Sequence, residues 1–558
     1  MAYAMMWIEW LAFALVFVAL ATACIARLRM GIVRVILATV VAALPVAKGA
    51  AAAALFAWLA MVTLRPWYTY HWFLFFLAWS LCAAVGAVVV VAAGLRRRGE
   101  DRTPVAASWP RGKLALMLLG VMLLAWITFW NLDLSVEGRL ASLRVEAGAL
   151  ALSAAPARPP DAENAATVYR LAFDAMLKEG DDVPPEYSEK WIPWIGEAGQ
   201  AGFDPADAKL AAFLDRNEAA MGLLRRAAEM PACYFDHDYG RPSLSMLLPE
   251  MSQFQNAARI LAMDARVKTA AGKTDRAVED IQAVFGLARH SAANPILISL
   301  LVAMNADDIG VHMLEALLGG RGPAAEQLAR LRLSEPGLFE RNLPRALRME
   351  EAFALSAISD ISLGDDPSAV DHLGLGMGGA LGRTAVEPLL ACWRVFLATE
   401  EVAAYRGGIH EFEQLATMPY HEAAGEWQRT DQPENIRQRG IMASMLMPAL
   451  GRCAGVAARG DARHALAYVA VAAARYRAEK GRLPETLEVL VPDYLPAVPR
   501  DPFDGRPVKM VARGGAVVFY SVGQDLKDDG GAPLDDEKHT GDLTFSLGAA
   551  GGVSAEKR

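Results

Sequence analysis

The sequence holds no CxxC pair; its five cysteines, Cys24, Cys82, Cys233, Cys392 and Cys453, are scattered over 558 residues. That excludes a zinc ribbon and a thioredoxin-type redox motif, which need two thiols held close together. Cys24 and Cys82 sit in apolar runs, and the other three leave room for at most one disulfide. A cationic surplus is also missing: 55 Lys and Arg face 63 Asp and Glu, for a net charge of −8. No nucleic-acid partner is expected, because phosphate binding rests on clustered Lys and Arg. GxSxG is absent, so there is no nucleophile elbow of the hydrolase type. HExxH is absent too. His410, Glu411, Glu413 and His421 lie in GIHEFEQLATMPYHE, but the second His comes too late for the one-turn spacing that puts both imidazoles on one zinc ion. They read as a solvated helix face and its loop. The glycine-rich stretch 374–382, GLGMGGALG, follows SAVDHL, which does not read as a strand, and is not followed by GKS or GKT. It reads as a flexible loop or a close helix contact.

Apolar residue types are abundant instead: 54% of the chain is hydrophobic and 21% charged, more apolar than an ordinary soluble domain. The excess lies in residues 1–130, which read as a transmembrane anchor. Segments 7–25, 71–95 and 114–130 are apolar runs of bilayer-spanning length. The stretch 38–64 contains Pro45 and Lys48 and reads as one broken span, giving four, with five as the alternative. The first run lacks a basic start and is followed by further spans, so it reads as an uncleaved anchor. Arg27, Arg29 and Arg34 mark one cytoplasmic loop, and Arg96, Arg97, Arg98, Arg102, Arg111 and Lys113 another. Everything after Trp130 is then expected outside the inner membrane of a bacterial cell. Trp67, Tyr68, Tyr70 and Trp72 suit an interfacial belt. Glu9, Arg34 and Lys48 are too few to argue for a transport path over plain anchoring.

A helical stalk and a Pro-rich linker (AAPARPP) are expected over 131–160. The block 161–455 reads as all-helical. Asp161 or Asn164 caps a helix through Tyr169, Phe173 and Met176; another helix is expected from Asp207 to Met230. The stretch 256–290 reads as two helices meeting at Gly272, which resembles one tetratricopeptide-type hairpin, without a second copy at the expected period. A further pair is expected over 295–318 and 324–333. CYFDHDYGRPSLS places Asp236, His237 and Asp238 together as candidate metal or acid/base residues; with no companion motif they read as a structural loop.

From Asp461 the character changes. Leu466, Val469, Ala473 and Tyr476 share one helical face; Gly481 ends that helix, and Pro484 starts a short second one through Leu490. Val508–Val511 and Val517–Tyr520 read as a hairpin across Arg513-Gly514-Gly515, with Leu543–Leu547 as a third strand. In this order stand Gly481, Arg482, Leu483 and Pro484; Pro499, Arg500, Asp501, Pro502, Phe503 and Gly505; and Tyr520, Ser521, Gly523 and Asp525. With them the segment 461–547 resembles the C-terminal domain of type II secretion major pseudopilins. The resemblance implies a small α+β module whose acidic loop binds calcium. By position Asp525 matches the first acidic residue of that loop and Asp542 the later one. Asp528 and Asp529 lie between them, and such oxygen-rich loops suit a hard cation. The pilin leader and its single apolar helix are not matched, since about 460 other residues come first, so assembly into a pilus is not expected.

The expected fold is therefore a multi-span α-helical membrane region, an all-α helical-hairpin exported domain that is weakly tetratricopeptide-like, and a small α+β pseudopilin-like C-terminal domain, with 548–558 as a disordered tail. The expected function is an envelope protein, anchored in the lipid bilayer, with an exported interaction or scaffolding surface for protein partners in the cell envelope, linked to secretion or envelope assembly. The rivals are an exported metal-dependent hydrolase and a membrane sensor or transporter. The expected cofactor is calcium at Asp525, Asp528, Asp529 and Asp542.

Overall fold

A computed structural model describes residues 136–176, 205–243, 246, 248–319, 323–363, 398–430, 432, 434–435, 447, 450–535 and 540–548. The four expected spans lie outside these residues, as do Glu9, Lys48 and the glycine-rich stretch 374–382. What is described is mostly helical, with one small antiparallel sheet.

A helix over 136–154 (α1) precedes the Pro-rich linker. Next come α2 (Ala165–Ala175) and α3 (Ala208–Glu229). Both start where side-chain oxygens occupy the first free amides: Asn164 accepts from Ala166 N, and Asp207 from Lys209 N. Helices α4 (Pro249–Ala270) and α5 (Thr274–Ala292) form the expected hairpin, and Gly272 between them has φ +69°. Gly286 on α5 lies so close to α3 that a Cβ there would sit 2.6 Å from the Ala228 Cβ. Helix α6 (Leu297–Gly319) and the short α7 (Ala325–Arg330) follow. Among the described residues, α6 is the one helix long and apolar enough to cross a membrane. Here it is a core helix, packed against α4, α5 and two later helices, α8 (Leu338–Leu363) and α11 (Leu450–Lys480). Between these two run α9 (Ala398–Ala416) and α10 (Tyr420–Thr430).

The sheet consists of β1 (Lys509–Arg513), β2 (Ala516–Ser521) and β3 (Leu543–Leu547) in the order β1-β2-β3, all antiparallel. Arg513 pairs with Ala516, so Gly514-Gly515 is a two-residue hairpin turn. Both glycines have positive φ, as a turn matching the strand twist requires. The expected short helix from Pro484 to Leu490 is reduced to one 3₁₀ turn, Glu488–Leu490. Cys233 and Cys453 are free thiols, so these two do not form the single disulfide the composition allowed.

Helix α11 is the organising element. It begins 11 residues before the expected start at Asp461 and runs unbroken through the expected boundary at 455–461. It is buried over most of its length, its small alanines and glycines allowing close packing and its buried Asp461 and His464 finding polar partners. One side meets α6, α7, α8 and α10; the other meets β2 and β3. The sheet residues Val517, Phe519, Phe545 and Leu547 therefore share one continuous core with Leu466, Val469 and the α2–α6 layer.

Three side chains of α11 bond to the neighbouring helices and their ends. Asp461, 1% exposed, accepts backbone N–H groups from Gly337 (3.0 Å), Phe339 (3.1 Å) and Glu340 (2.8 Å), so it caps the start of α8 from another helix. His464 places Nδ1 2.8 Å from Asp307 Oδ1 on α6 and Nε2 2.9 Å from the Ser334 carbonyl. Arg475 donates to the Leu328 and Leu331 carbonyls at the end of α7.

Candidate functional site

The hairpin positions the acidic loop. β2 ends at Ser521, Gly523 turns with φ +71°, and the chain returns through 524–542 to β3. Asp501 anchors the start of this excursion. Its Oδ1 accepts from Phe503 N (3.0 Å) and the Ser521 hydroxyl (2.9 Å), and its Oδ2 from Val522 N (2.9 Å). Burial pushes the Asp501 carboxyl above its usual range, and these three donors pull it back. Asp501 thus clamps the DPFDG turn to the sheet, a role the motif resemblance does not disclose.

Within the loop the aspartates act first as backbone acceptors. Asp525 Oδ1 accepts from Lys527 N (3.1 Å), and Asp528 Oδ1 from Gly530 N (3.0 Å). Asp529 Oδ2 accepts from Gly541 N (3.1 Å). Asp542 is fully buried and takes Gly531 N at 2.6 Å on Oδ2 and Asp529 N at 3.4 Å on Oδ1. Arg513 of β1 donates to the Gly530 (2.7 Å) and Gly531 (3.1 Å) carbonyls, tying the loop to the hairpin. Burial pushes the Asp542 carboxyl up; the Gly531 and Asp529 amides lower it, and the charges of Asp528 and Asp529 raise it again. Three carboxylates thus crowd one end of the loop.

The donor set suits calcium in kind: all hard oxygens, mutual carboxylate repulsion, and a buried Asp525 Oδ2 without a hydrogen-bond partner. The four aspartates are not gathered as one side-chain ligand set. Among the described residues, the His, Cys, Asp and Glu group whose ligand atoms all lie within 4.8 Å of one another is Glu351, His410 and Glu413. A cation on the loop would therefore draw on Asp525 and the Asp528, Asp529 and Asp542 end together with carbonyls and water.

The other sequence candidates separate. His237 turns inward to Glu250, 2.8 Å away, while Asp236 and Asp238 are exposed and Asp236 faces Arg158 at 4.0 Å. Neighbouring loop side chains point apart, and the three do not make a metal site. His421 does not approach His410's partners. Its ring lies against Gly505, where a Cβ would be 2.5 Å from Nε2, and the adjacent Tyr420 meets Phe503 edge-on at 5.5 Å. These two side chains of α10 dock the helical layer onto the C-terminal segment. His410 lies 3.3 Å from Glu351, a residue of α8 that no motif singled out. The two are 59 positions apart, so only the packing of α8 on α9 brings them together.

No family profile, curated protein or solved structure matches this chain.

Proposed function

We propose that the chain is a multi-pass protein of the bacterial inner membrane, anchored through 1–130, whose exported part is a scaffold for protein partners in the cell envelope. The observation that carries this reading is α11. One buried helix serves both the helical layer and the sheet, so the two present their outer surfaces from a single core. A surface held in that way suits binding and positioning rather than opening and closing. The helix, the three-stranded antiparallel sheet and the acidic loop, in that order, support kinship of 461–547 with pseudopilin C-terminal domains, and the α4–α5 hairpin supports the tetratricopeptide-like reading. Within it, Asp525, Asp528, Asp529 and Asp542 hold a calcium ion, which neutralises the carboxylates and fastens the loop on the hairpin.

Two measurements on the full chain test this. Protease added to spheroplasts should cut the exported region, which stays protected if that region is cytoplasmic. Site-specific photocrosslinking in native membranes should give discrete adducts that weaken with chelator. A cytoplasmic exported region, or crosslinks to nothing but lipid, removes the proposal.

A further inference from the structure

The side chains of Glu351, His410 and Glu413 lie outside the acidic loop and take no part in the scaffold reading. We propose that they bind a divalent transition-metal ion of the zinc class between α8 and α9. His410 and Glu413 are three residues apart on α9, which puts them on one helix face. Glu351 rises to meet them from α8 and is 4% exposed. His410 Nε2 stands 3.3 Å from Glu351 Oε1, and the ligand atoms of all three lie within 4.8 Å of one another. Bonds of about 2.1 Å at tetrahedral angles put two ligands about 3.4 Å apart. The His410–Glu351 edge already has that length, and closing the site asks only that Glu413 move inward.

Two guanidinium groups stand nearby and do not saturate these oxygens. Arg406 Nε is 3.8 Å from Glu351 Oε1, and Arg348 Nε is 3.9 Å from Glu413 Oε1. Both exceed the roughly 2.7–2.9 Å of a charged hydrogen bond. The short contact of Arg406 goes instead to Glu146, at 2.6 Å. Glu413 Oε1 is buried and has no hydrogen-bond partner. A buried carboxylate oxygen left without a donor, facing an imidazole and a second carboxylate, is a place where a cation replaces missing bonds.

The donor types set the metal. One imidazole and two carboxylates favour zinc-class ions over calcium, which prefers an all-oxygen shell. The His410 side chain is 55% exposed, which opens the site to solvent. Three protein ligands also leave a fourth position for water.

The test uses the full chain in detergent, by equilibrium dialysis against Zn²⁺ and by the visible absorption of Co²⁺ in its place. The wild type and Asp542→Asn are expected to bind alike. His410→Ala and Glu413→Gln are expected to weaken Zn²⁺ by more than about tenfold, and His410→Ala to abolish the Co²⁺ band. His410 is half exposed, so its loss leaves the fold in place, which circular dichroism checks. A wild type that takes up no Zn²⁺, or variants that keep its affinity and Co²⁺ band, overturns the proposal. Loss in Asp542→Asn alone assigns the metal to the acidic loop and also overturns it. An ion-pair cluster only is the outcome if Zn²⁺ leaves the thermal midpoint and the Co²⁺ spectrum unchanged, and that too is refutation.

Discussion

Raising the pH from 6.5 to 9 should remove about 3 kcal/mol of stability through one side chain, His464. Both ring nitrogens face acceptors: Nδ1 meets Asp307 Oδ1 at 2.8 Å and Nε2 the Ser334 carbonyl at 2.9 Å. Only the imidazolium can donate to both. Burial works against that charge, but the Asp307 carboxylate, its hydrogen bond and the Ser334 carbonyl outweigh it and lift the pKa to about 9. A pKa raised in the folded state means that the folded chain holds the proton more tightly than the unfolded one. The stabilisation is complete below pH 6.5 and is lost as the pH rises through 9. The shift is worth about 1.4 kcal/mol per unit, hence about 3 kcal/mol. Asp280, which burial lifts to about 8, loses stability with rising pH in the same direction, and so does Asp461, lifted by burial to about 7. The contribution of His464 is therefore read as a difference. Urea unfolding of the full chain is measured across this range for the wild type and for His464→Gln, and the two curves are subtracted. Their gap should narrow steadily above pH 6.5. A gap that stays constant to pH 9 would refute the doubly donating imidazolium.

Three further outcomes follow from buried groups. His290 is the opposite case. Its Nε2 donates to the Met230 carbonyl and its Nδ1 accepts from the Tyr169 hydroxyl at 2.8 Å, so it is neutral. Burial, with Arg289 beside it, lowers its pKa to about 3. Its stabilisation is present above pH 6.5 and lost as the pH falls through 3, up to about 5 kcal/mol; acid unfolding of His290→Gln should be correspondingly shallower. Arg225→Ala leaves the fully buried Asp264 and Asp280 without their shared guanidinium, at 3.1 and 2.6 Å, and should cost about 3–5 kcal/mol in urea unfolding. Gly286→Ala forces a Cβ to within 2.7 Å of the Ala228 carbonyl oxygen, and the thermal midpoint should fall by the equivalent of about 1–3 kcal/mol.

Much of the local structure was legible because its causes are local. Asn164 and Asp207 cap helices at the positions their side chains announce. Gly272 and Gly481 end helices with positive φ, and the Gly514-Gly515 turn fixes the hairpin register. The true start of α11 was not legible. Residues 450–460 contain Gly451, Gly455 and Gly460, and glycine weakens a helix by about 1 kcal/mol relative to alanine, so the local pattern does not announce one there. Gly460 instead makes room for the Phe339 ring, 2.8 Å from where a Cβ would stand, and Gly455 for Gln524 and Tyr420. A glycine that permits close approach carries the same letter as one that ends a helix. The candidate sites divide along the same line. Asp525 to Asp542 stood out because their spacing is local. Glu351 stayed hidden because its partners, His410 and Glu413, come from another helix.

The position of α11 changes what the resemblance at the C-terminus can mean. A borrowed module would keep its own core, joined to the rest by a few surface contacts. Here β3 lies against α6 as well as α11, and Ser546 N donates to Glu315 of α6. His421 and Tyr420 of α10 grip the turn at Gly505 and Phe503. Asp461 and His464 of α11 serve the helical layer, Asp461 capping α8 and His464 held by Asp307 and Ser334, while Arg477 near its end donates to the Gly548 carbonyl just after β3. The apolar face of α11 supports the sheet. One helix is thus committed on both sides. The sheet and its acidic loop are therefore held by α11 and, through β3, directly by α6 as well, so their place is fixed by the helical layer rather than by a separate core.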